Sequence, residues 1–313
     1  MIDYLITGGA GFVGSNLAQH LVEHDLRVRI FDNFSSSKRD NIAAFADKIE
    51  IIENDLRVLE SVKHAMEGVR YVLHVGAMPS VPRSVEDPVT TNQANITGTL
   101  NVLVAARDAG VKRVVFSSSS SVYGDTPTLP KTEDMAPAPL SPYAIHKITG
   151  EYYGRVFWQL YGLETISLRY FNVFGPHQDP QSQYAAVIPR FITAILKDEP
   201  PTIYGDGKQT RDFSHIENVI DANLVACKAP KEALGETFNA ACGGRISLLE
   251  LVDTINGIVG KKIAPRFEAP RPGDVRDSQA DITKAAKLLG WKPRVDFQEG
   301  IERAVAWYRG TAG

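Results

Sequence analysis

The stretch "YLITGGAGFVGSNL", from Tyr4 to Leu17, sets a short apolar run directly before three spaced glycines, Gly8, Gly11 and Gly14. The apolar run predicts a buried strand, and the residues that follow Gly14 predict an amphipathic helix. Glycines between a strand and a helix permit a tight turn and let main-chain N–H groups approach a pyrophosphate, which the positive helix end attracts. The stretch therefore predicts a dinucleotide site on an α/β fold.

Further apolar runs of strand length alternate with helical patterns through the first half of the chain. The additional strand candidates are Arg27–Asn33, Lys48–Leu56, Tyr71–Ala77, Arg113–Ser119 and Thr165–Val173. Their nearly continuous apolar character is typical of parallel strands that are covered on both faces. We predict a Rossmann-type doubly wound parallel sheet.

After Val173 the alternation of strand-length apolar runs with helical patterns becomes less regular. This change predicts a second, smaller α/β domain interleaved with the first. A helix at about Ile216–Lys228 and a strand at Thr237–Ala241 are expected to return to the first domain. The cofactor domain then comprises residues 1–172 with about 212–241. Residues from about 173 to 211, with 242–313, form the substrate domain.

Composition excludes several classes of protein. The chain of 313 residues has a net charge of -3 and no long basic block, which argues against a nucleic-acid partner. No apolar run approaches the ~18 residues of a membrane helix, and no signal segment is visible, so a cytoplasmic protein that does not enter a membrane is expected. Cys227 and Cys242 lack metal-ligand spacing, and no metal site is predicted.

Two acidic residues follow strand candidates near the glycine stretch. Asp32 ends the second strand, where a carboxylate accepts hydrogen bonds from the adenosine ribose and repels a 2′-phosphate, which favours NAD. Lys38 and Arg39 leave NADP as an alternative cofactor, since their cations can pair with that phosphate. Asp55 is placed either to hold the adenine amine or to cap a helix.

A tyrosine and a lysine stand four residues apart in "SPYAIHK", so Tyr143 and Lys147 lie on one face of a helix that begins near Pro142. Lowering a tyrosine pKa from about 10 to about 7 requires roughly 4 kcal/mol of preferential stabilisation of the phenolate. The lysine ammonium and an oxidised nicotinamide ring can together supply it. A hydroxyl-rich strand end, Ser117–Ser121, precedes this helix by some twenty residues.

Over nearly its whole length the chain resembles the extended short-chain dehydrogenase/reductases, in particular nucleotide-sugar 4-epimerases of the UDP-glucose and UDP-N-acetylglucosamine type. The resemblance rests on eight motifs in order: "TGGAGFVGSNL", "DNFSSSKRDNI", "NITGT", "SSSSSVYGD", "SPYAIHK", "LRYFNVFGP", "YGDGKQTRDFSHI" and "RPGDVRDSQAD".

The resemblance implies Ser119, Tyr143 and Lys147 as catalytic residues and NAD as a tightly held cofactor. It also implies cofactor contacts along the glycine turn, the strand ends and the active-site helix. These are Gly8, Gly11, Phe12, Val13, Gly14, Asp32, Asn33, Ser35, Ser36, Ser37, Asp55, Leu56, Val75, Gly76, Ala77, Asn95, Ser117, Tyr143, Lys147, Tyr170 and Phe171.

For the UDP-sugar, the resemblance implies that Arg211 and Arg271 clamp the diphosphate and that Asp274 meets the uridine ribose. The full set of implied substrate contacts is Ser80, Ser84, Ser119, Ser120, Tyr143, Asn172, Ala186, Val187, Tyr204, Arg211, Arg271, Asp274 and Ser278.

Within this family, the residues that follow the catalytic serine distinguish enzymes that catalyse different reactions. Related dehydratases and decarboxylases carry a carboxylate there, whereas this chain has Ser120 and Ser121, which favours 4-epimerisation through a transient 4-keto sugar. The small Ser278 leaves room for an N-acetyl group, so UDP-GlcNAc/UDP-GalNAc are expected beside UDP-Glc/UDP-Gal. Asp179 is expected to repel a uronate, although Arg83 can substitute for the missing cation.

Three other functions remain open: a UDP-glucuronate 4-epimerase, an NAD-dependent 4-keto sugar reductase and a non-catalytic NAD-binding regulator. Excess apolar residues on the helices Thr97–Ala109 and Pro142–Leu160 predict a homodimer. The examples are Tyr153, Val156, Phe157 and Leu160. His74, His146 and His215 are expected to be structural.

Overall fold

The computed structural model describes residues 1–180, 186–270 and 275–311. Its strands are β1 (Ile2–Thr7), β2 (Val28–Asp32), β3 (Glu50–Glu53), β4 (Val69–His74), β5 (Arg113–Ser119), β6 (Glu164–Tyr170), β7 (Val173–Phe174), β8 (Thr202–Tyr204), β9 (Thr210–Arg211), β10 (Ser214–His215), β11 (Thr237–Ala240), β12 (Ile246–Ser247) and β13 (Arg266–Glu268).

The helices alternate with these strands, and short 3-10 or π segments interrupt them. They are α1 (Phe12–Glu23), α2 (Leu59–Met66), α3 (Val81–Glu86), α4 (Pro88–Asn92), α5 (Gly98–Asp108), α6 (Pro142–Tyr161), α7 (Val187–Leu196), α8 (Ile216–Lys228), α9 (Leu248–Val259), α10 (Thr283–Leu288) and α11 (Phe297–Thr311).

Seven strands form one parallel sheet in the order β11-β6-β5-β4-β1-β2-β3. The inner strands are apolar and buried, as Leu5, Ile6 and Val72 show with 0% exposure. The chain order reverses between β1 and β4, and the crevice outside the carboxyl ends at such a switch point is where these sheets bind ligands. The predicted Rossmann-type sheet is confirmed, and α8 and β11 return to it.

A second core lies outside this sheet, where α7, α9 and α11 pack together. Ile192, Leu251 and Ile301 are fully buried in it. Three small strand pairs join its loops to the rest of the chain, β7 with β10, β8 with β13 and β9 with β12. Residues of this part, among them Phe191 and Leu248, line a cavity of about 230 Å³.

One segment packs differently from the predicted division of domains. Ala285, Leu289 and Trp291 lie in the core cluster of the large sheet, although residues 242–313 were expected to belong to the smaller domain. α10, in this segment, contacts β11, the edge strand of the sheet. The division itself stays a prediction.

A buried carboxylate ties the two cores together. Asp212, with 0% exposure, accepts main-chain hydrogen bonds of 3.0 Å from Cys242, Gly243 and Ala280. Because it joins three separate segments, it fixes the small strands against the large sheet. In the part of the chain that the structure describes, no helix is long and apolar enough to cross a membrane.

Candidate cofactor and active site

The predicted glycine turn follows β1 and forms a cradle. Gly8 has a φ of +66°, and a Cβ at Gly14 would lie 2.1 Å from the Gly8 carbonyl oxygen, so neither position accepts a side chain without distortion. No side chain caps the first turn of α1. Its main-chain N–H groups therefore remain available to an anion at the positive end of the helix.

This cradle opens into a cavity of about 770 Å³ at the switch point. Most of the predicted cofactor contacts line it, together with Ser80 from the predicted sugar contacts. They are Gly8, Gly11, Phe12, Val13, Gly14, Asp32, Asn33, Ser35, Ser36, Ser37, Asp55, Leu56, Val75, Gly76, Ala77, Ser117, Tyr143, Lys147 and Tyr170. A cavity with an N–H cradle and carboxylates beyond it fits a dinucleotide such as NAD.

Asp32 is held in place at one side of this cavity. Its Oδ2 accepts from the main-chain N–H of Ala10 at 3.0 Å, and its Oδ1 accepts from the Phe34 N–H and the Ser37 hydroxyl, both at 2.8 Å. The two nearby cations are engaged elsewhere: Lys38 pairs with Asp179 at 2.7 Å and Arg39 pairs with Glu53. A 2′-phosphate would thus meet a carboxylate and paired cations, which favours NAD.

Asp55 lies beside Asp32 on the cavity wall. Hydrogen bonds from Arg57 and Asn33 lower the pKa of its carboxyl group to about 2 against the effect of burial. The cap of α2 is Val58 and not Asp55, so the alternative of a helix cap is wrong. Asp55 stays a candidate for the adenine amine.

The active-site helix α6 begins as the sequence predicts. The Ser141 hydroxyl accepts from the N–H of Ala144, and Pro142 occupies the first turn. Lys147 is 5% exposed and donates to the main-chain oxygen of Ser117 at 2.7 Å. Its Nζ lies 5.7 Å from the centre of the Tyr143 ring, so the two predicted catalytic side chains meet at the cavity.

Burial changes the ionisation of this pair. It raises the pKa of Tyr143 to about 12, and a hydrogen bond with the Ser119 side chain opposes part of the rise. Burial lowers the pKa of Lys147 to about 8, while the charge of Glu151 opposes the fall. At neutral pH these residues alone leave Tyr143 protonated, so an additional positive charge in the cavity is required before it can act as a base.

Two predicted contacts, Phe171 and Ser84, are fully buried and do not line either cavity. Phe171 is fully buried in a separate apolar cluster with Tyr123 and Ile148, and its position beside the nicotinamide stays a prediction. The hydroxyl of Ser84, also fully buried, donates to Val81 and accepts from the Tyr143 N–H at 3.1 Å. It therefore anchors the start of α6 and does not face a sugar.

Asn95 supports the site from behind. Its side chain bonds both main-chain groups of Met78, at 2.7 and 3.1 Å, and contacts His146 at 3.2 Å. Asn95 is 4% exposed and fixes the segment that carries Ala77 and Met78 along the cavity. It buttresses the site, and no cavity contact of its own is seen. His74 is likewise bonded to Thr7 and Thr99, as expected of a structural histidine.

A second cavity, of about 230 Å³, adjoins the first, and Ala186 lines both. Of the predicted substrate contacts, it is lined by Asn172, Ala186, Val187, Tyr204 and Arg211. Ser278 is 9% exposed and accepts a bond of 3.3 Å from the Asn172 amide, and Ser119 and Ser120 are half-buried at the end of β5. Arg271 and Asp274 lie outside the described residues.

The segment Pro176–Asp179 crosses from the smaller core to the cofactor cavity. The Asn16 amide donates to the Pro176 oxygen, and Ser15 contacts the His177 ring, both at 2.9 Å. With the pair between Asp179 and Lys38, this segment, which we term the strap, touches the cofactor domain at three places. His177, Gln178 and Asp179 all line the large cavity.

Several residues at the site were not predicted. His177, Gln178 and Trp307 in the large cavity, and Arg190 in the smaller one, come from distant parts of the chain and carry no local pattern. Glu151 does carry a local pattern, since it stands four residues after Lys147 and therefore on the same helix face.

Comparison with known proteins agrees with this site. A model of the "NAD dependent epimerase/dehydratase family" matches residues 4–241. The chain is 39% identical to a putative UDP-glucose 4-epimerase of Methanocaldococcus jannaschii and 39% identical to a UDP-glucose 4-epimerase of Mycolicibacterium smegmatis, in both cases over 97% of this chain and 98% of the relative. It is 34% identical to a UDP-glucuronate 4-epimerase of Thermodesulfobacterium geofontis, over 97% and 95%.

The chain is also similar to solved structures of UDP-sugar 4-epimerases. The UDP-N-acetylglucosamine 4-epimerase of Methanobrevibacter ruminantium in complex with UDP-N-acetylmuramic acid superposes with a TM-score of 0.93 at 38% identity, covering 99% of this chain and 100% of the other. The UDP-glucose 4-epimerase of Thermus thermophilus, in complex with NAD, superposes with a TM-score of 0.89 at 35% identity, covering 99% of both chains.

Proposed function

Since the chain belongs to the NAD-dependent epimerase/dehydratase family, we propose that it interconverts UDP-hexoses at C4 of the sugar. The expected pairs are UDP-GlcNAc with UDP-GalNAc and UDP-Glc with UDP-Gal. The observation that carries the proposal is the meeting of Tyr143, Lys147 and Ser119 at the edge of the cavity with the glycine cradle.

The chain's own residues would accept and return one proton, that of the sugar C4 hydroxyl. A bound NAD, held by the glycine cradle and Asp32, would supply reversible hydride transfer at sugar C4 and a positive charge beside Tyr143. Tyr143 in its phenolate form accepts the proton of the C4 hydroxyl and gives it back after the keto sugar has turned. Lys147 stabilises the phenolate, and Ser119 orients it through the hydrogen bond between their side chains.

The absence of a carboxylate next to Ser119 supports epimerisation. The main-chain N–H of Ser121 turns back to bond the Ser119 hydroxyl at 3.1 Å, so the two serines that follow form a tight turn at the end of β5. Neither Ser120 nor Ser121 can remove a carbon-bound proton at C5 or assist loss of a carboxyl group. Dehydration and decarboxylation are therefore disfavoured.

The smaller cavity is the proposed site of the nucleotide. Arg211 and Arg190 contribute its positive charge, and the guanidinium group matches a diphosphate in geometry. Arg211 is fixed by bonds from its Nη1 to the oxygens of Thr210 and Arg276, at 2.9 and 3.2 Å. The small Ser278 next to Asn172 supports the acceptance of acetamido sugars as well as plain hexoses.

UDP-glucuronate is kept as a second substrate candidate on one observation. The Asp179 carboxylate pairs with Lys38 at 2.7 Å, so its charge is largely neutralised and repels a uronate less than the sequence suggests. Arg83 lies on the wall of the large cavity near Ser80 and offers a cation. Low turnover of UDP-glucuronate relative to the acetamido pair would remove this candidate.

The decisive experiment incubates NAD-loaded protein with a panel of UDP-sugars and separates the products. We expect both hexose pairs to interconvert without added NADH, whereas a reductase would consume NADH stoichiometrically. Tyr143→Phe should lower turnover by about 10² to 10⁴-fold while NAD stays bound. The matched control is Tyr152→Phe, which alters an exposed tyrosine of the same helix. No turnover of any UDP-sugar by the wild type, with cellular function unchanged in Tyr143→Phe, would favour the non-catalytic NAD-binding regulator.

The proposal on substrate range has its own variant. Ser278→Tyr should fill the space for the N-acetyl group and lower kcat/KM for UDP-GlcNAc by more than about tenfold. Turnover of UDP-Glc by the same variant serves as the control for folding. Equal losses for both substrates would contradict the assignment of Ser278.

The proposal includes a homodimer in the cytoplasm. Val156 and Leu160 on α6 are 41% and 70% exposed, and such apolar side chains on one helix face support a second buried surface. Tyr153 and Phe157, predicted for the same surface, pack instead against the core beneath α6.

A further inference from the structure

A buried ion pair lies one helical turn beyond Lys147. Glu151 and Arg169 are each 4% exposed. The Arg169 Nε donates to Oε1 of Glu151 at 2.9 Å, and its Nη2 donates to Oε2 at 2.7 Å. Burying two charges is costly unless they are well paired. The reaction proposed above gives this pair no role.

Glu151 connects α6 with the ends of two neighbouring strands. It receives the bonds from Arg169 on β6, and the Ser118 hydroxyl on β5 donates to the same carboxylate. Lys147 donates to the oxygen of Ser117, the residue before Ser118. Two successive turns of α6 are thus attached to two successive residues of β5, which fixes the position of Lys147 along the strand.

Among the residues that the structure describes, those that act on the charge of Lys147 include one anion, Glu151. On α6 it is near Tyr143, His146 and Glu151, and on β4 it is near His74. The pKa values of His74 and His146 are lowered by burial, so both rings are neutral at pH 7.

The strands next to Lys147 provide no other anion. From β5 the ammonium meets the Phe116 ring at 5.1 Å and the Ser117 oxygen, and β6 contributes Arg169 and Tyr170, which is protonated at neutral pH. Glu151 alone among these groups opposes the loss of charge that burial favours at Lys147.

We propose that Glu151 is a positioning residue, which keeps the Lys147 ammonium charged and aligned with the end of β5 while Arg169 balances its own charge. The proposal rests on the role given above to Tyr143 and Lys147. Ser118 takes part as the second hydrogen-bond partner of the carboxylate, beside Arg169, which accounts for one hydroxyl of the serine run.

The test compares two glutamates in matched ion pairs. Glu164 pairs with Arg113 at the amino ends of β5 and β6, which lie away from the carboxyl ends that carry Ser118 and Arg169. Arg113 donates to Glu164 through Nε at 2.9 Å and Nη2 at 2.7 Å. In the NAD-bound enzyme, Glu151→Gln should move the alkaline limb of the pH profile of kcat/KM to lower pH by about one unit. Glu164→Gln should leave the limb unchanged, whatever it does to the melting temperature.

Two further variants separate charge from folding. Glu151→Asp keeps the charge and should retain the alkaline limb. Glu151→Gln leaves Arg169 buried without its partner, so the double variant with Arg169→Met removes both charges and should fold where the single variant does not. Its alkaline limb should still lie below that of the wild type. A limb that coincides with the wild type in Glu151→Gln and in the double variant would overturn the proposal.

A readout without turnover keeps this inference distinct from the proposed reaction. The ¹³Cε signal of Lys147, assigned by its loss in Lys147→Arg, is titrated in the NAD-bound protein. Its midpoint should fall in the double variant and stay unchanged in Glu164→Gln. If no UDP-hexose is converted, the proposed function fails while this titration still decides the role of Glu151, and an unchanged midpoint would refute it.

Discussion

The Nζ atom of Lys147 donates a hydrogen bond of 2.7 Å to the main-chain oxygen of Ser117. This bond holds a buried ammonium at the carboxyl end of β5, next to the ring of Tyr143. Tyr143 is nevertheless protonated at neutral pH, because burial raises its pKa to about 12. The positive charge that a base requires is therefore divided between the chain and its cofactor.

Titration of Tyr143 should depend on NAD. In the NAD-free protein the pKa near 12 leaves the phenol neutral up to strongly alkaline pH. Oxidised NAD adds a cation that favours the phenolate, so the midpoint should fall by at least about two units. The measurement is the near-ultraviolet phenolate absorbance of the wild type minus that of Tyr143→Phe. A midpoint that NAD does not move would contradict the mechanism.

Asp32 should determine the choice of cofactor. Asp32→Asn keeps an oxygen that accepts from the Ala10 or Phe34 N–H but removes the charge that repels a 2′-phosphate. We expect the ratio of the NADP to the NAD dissociation constant to fall by about tenfold or more. Binding to NAD-stripped protein measures both constants. Asp40→Asn, in the segment that follows, serves as the control and should leave the ratio unchanged.

The strap should slow the release of NAD. Lys38→Met removes the pair with Asp179, which is partly exposed and worth about 0.2 to 1 kcal/mol. NAD should then dissociate up to about fivefold faster, and high salt should reduce the difference. Exchange of bound NAD against labelled NAD gives the rate. Lys63→Met breaks a pair with Glu60 on α2 and provides a matched lysine control.

Apolar residues on α6 should mediate self-association. Val156→Glu places a charge on the surface formed with Leu160 and should convert a dimer to a monomer in sedimentation at micromolar concentration. Val58→Glu changes a valine of similar exposure, 47% against 41%, at the start of α2. A wild type that sediments as a monomer would reject the dimer, and a Val156→Glu variant that stays dimeric would reject this surface.

Local patterns account for the residues that a single element positions. The glycines after β1, the acid at the end of β2 and the spacing of Tyr143 and Lys147 each depend on one strand, turn or helix, and they all meet in the large cavity. Local patterns do not decide how deeply a side chain is buried, because burial depends on packing. Phe171 and Ser84 stand near contact residues in the chain, yet both are fully buried behind the cavity wall.

The sequence by itself determined the parallel sheet, the glycine cradle and the active-site helix, because hydrophobic period, glycine spacing and helical period are properties of neighbouring residues. Only the tertiary structure decided that Lys38 pairs with Asp179, that Glu151 pairs with Arg169, and that α10 contacts β11. Each of these contacts joins two separate elements, and which side chains meet there follows from how those elements pack.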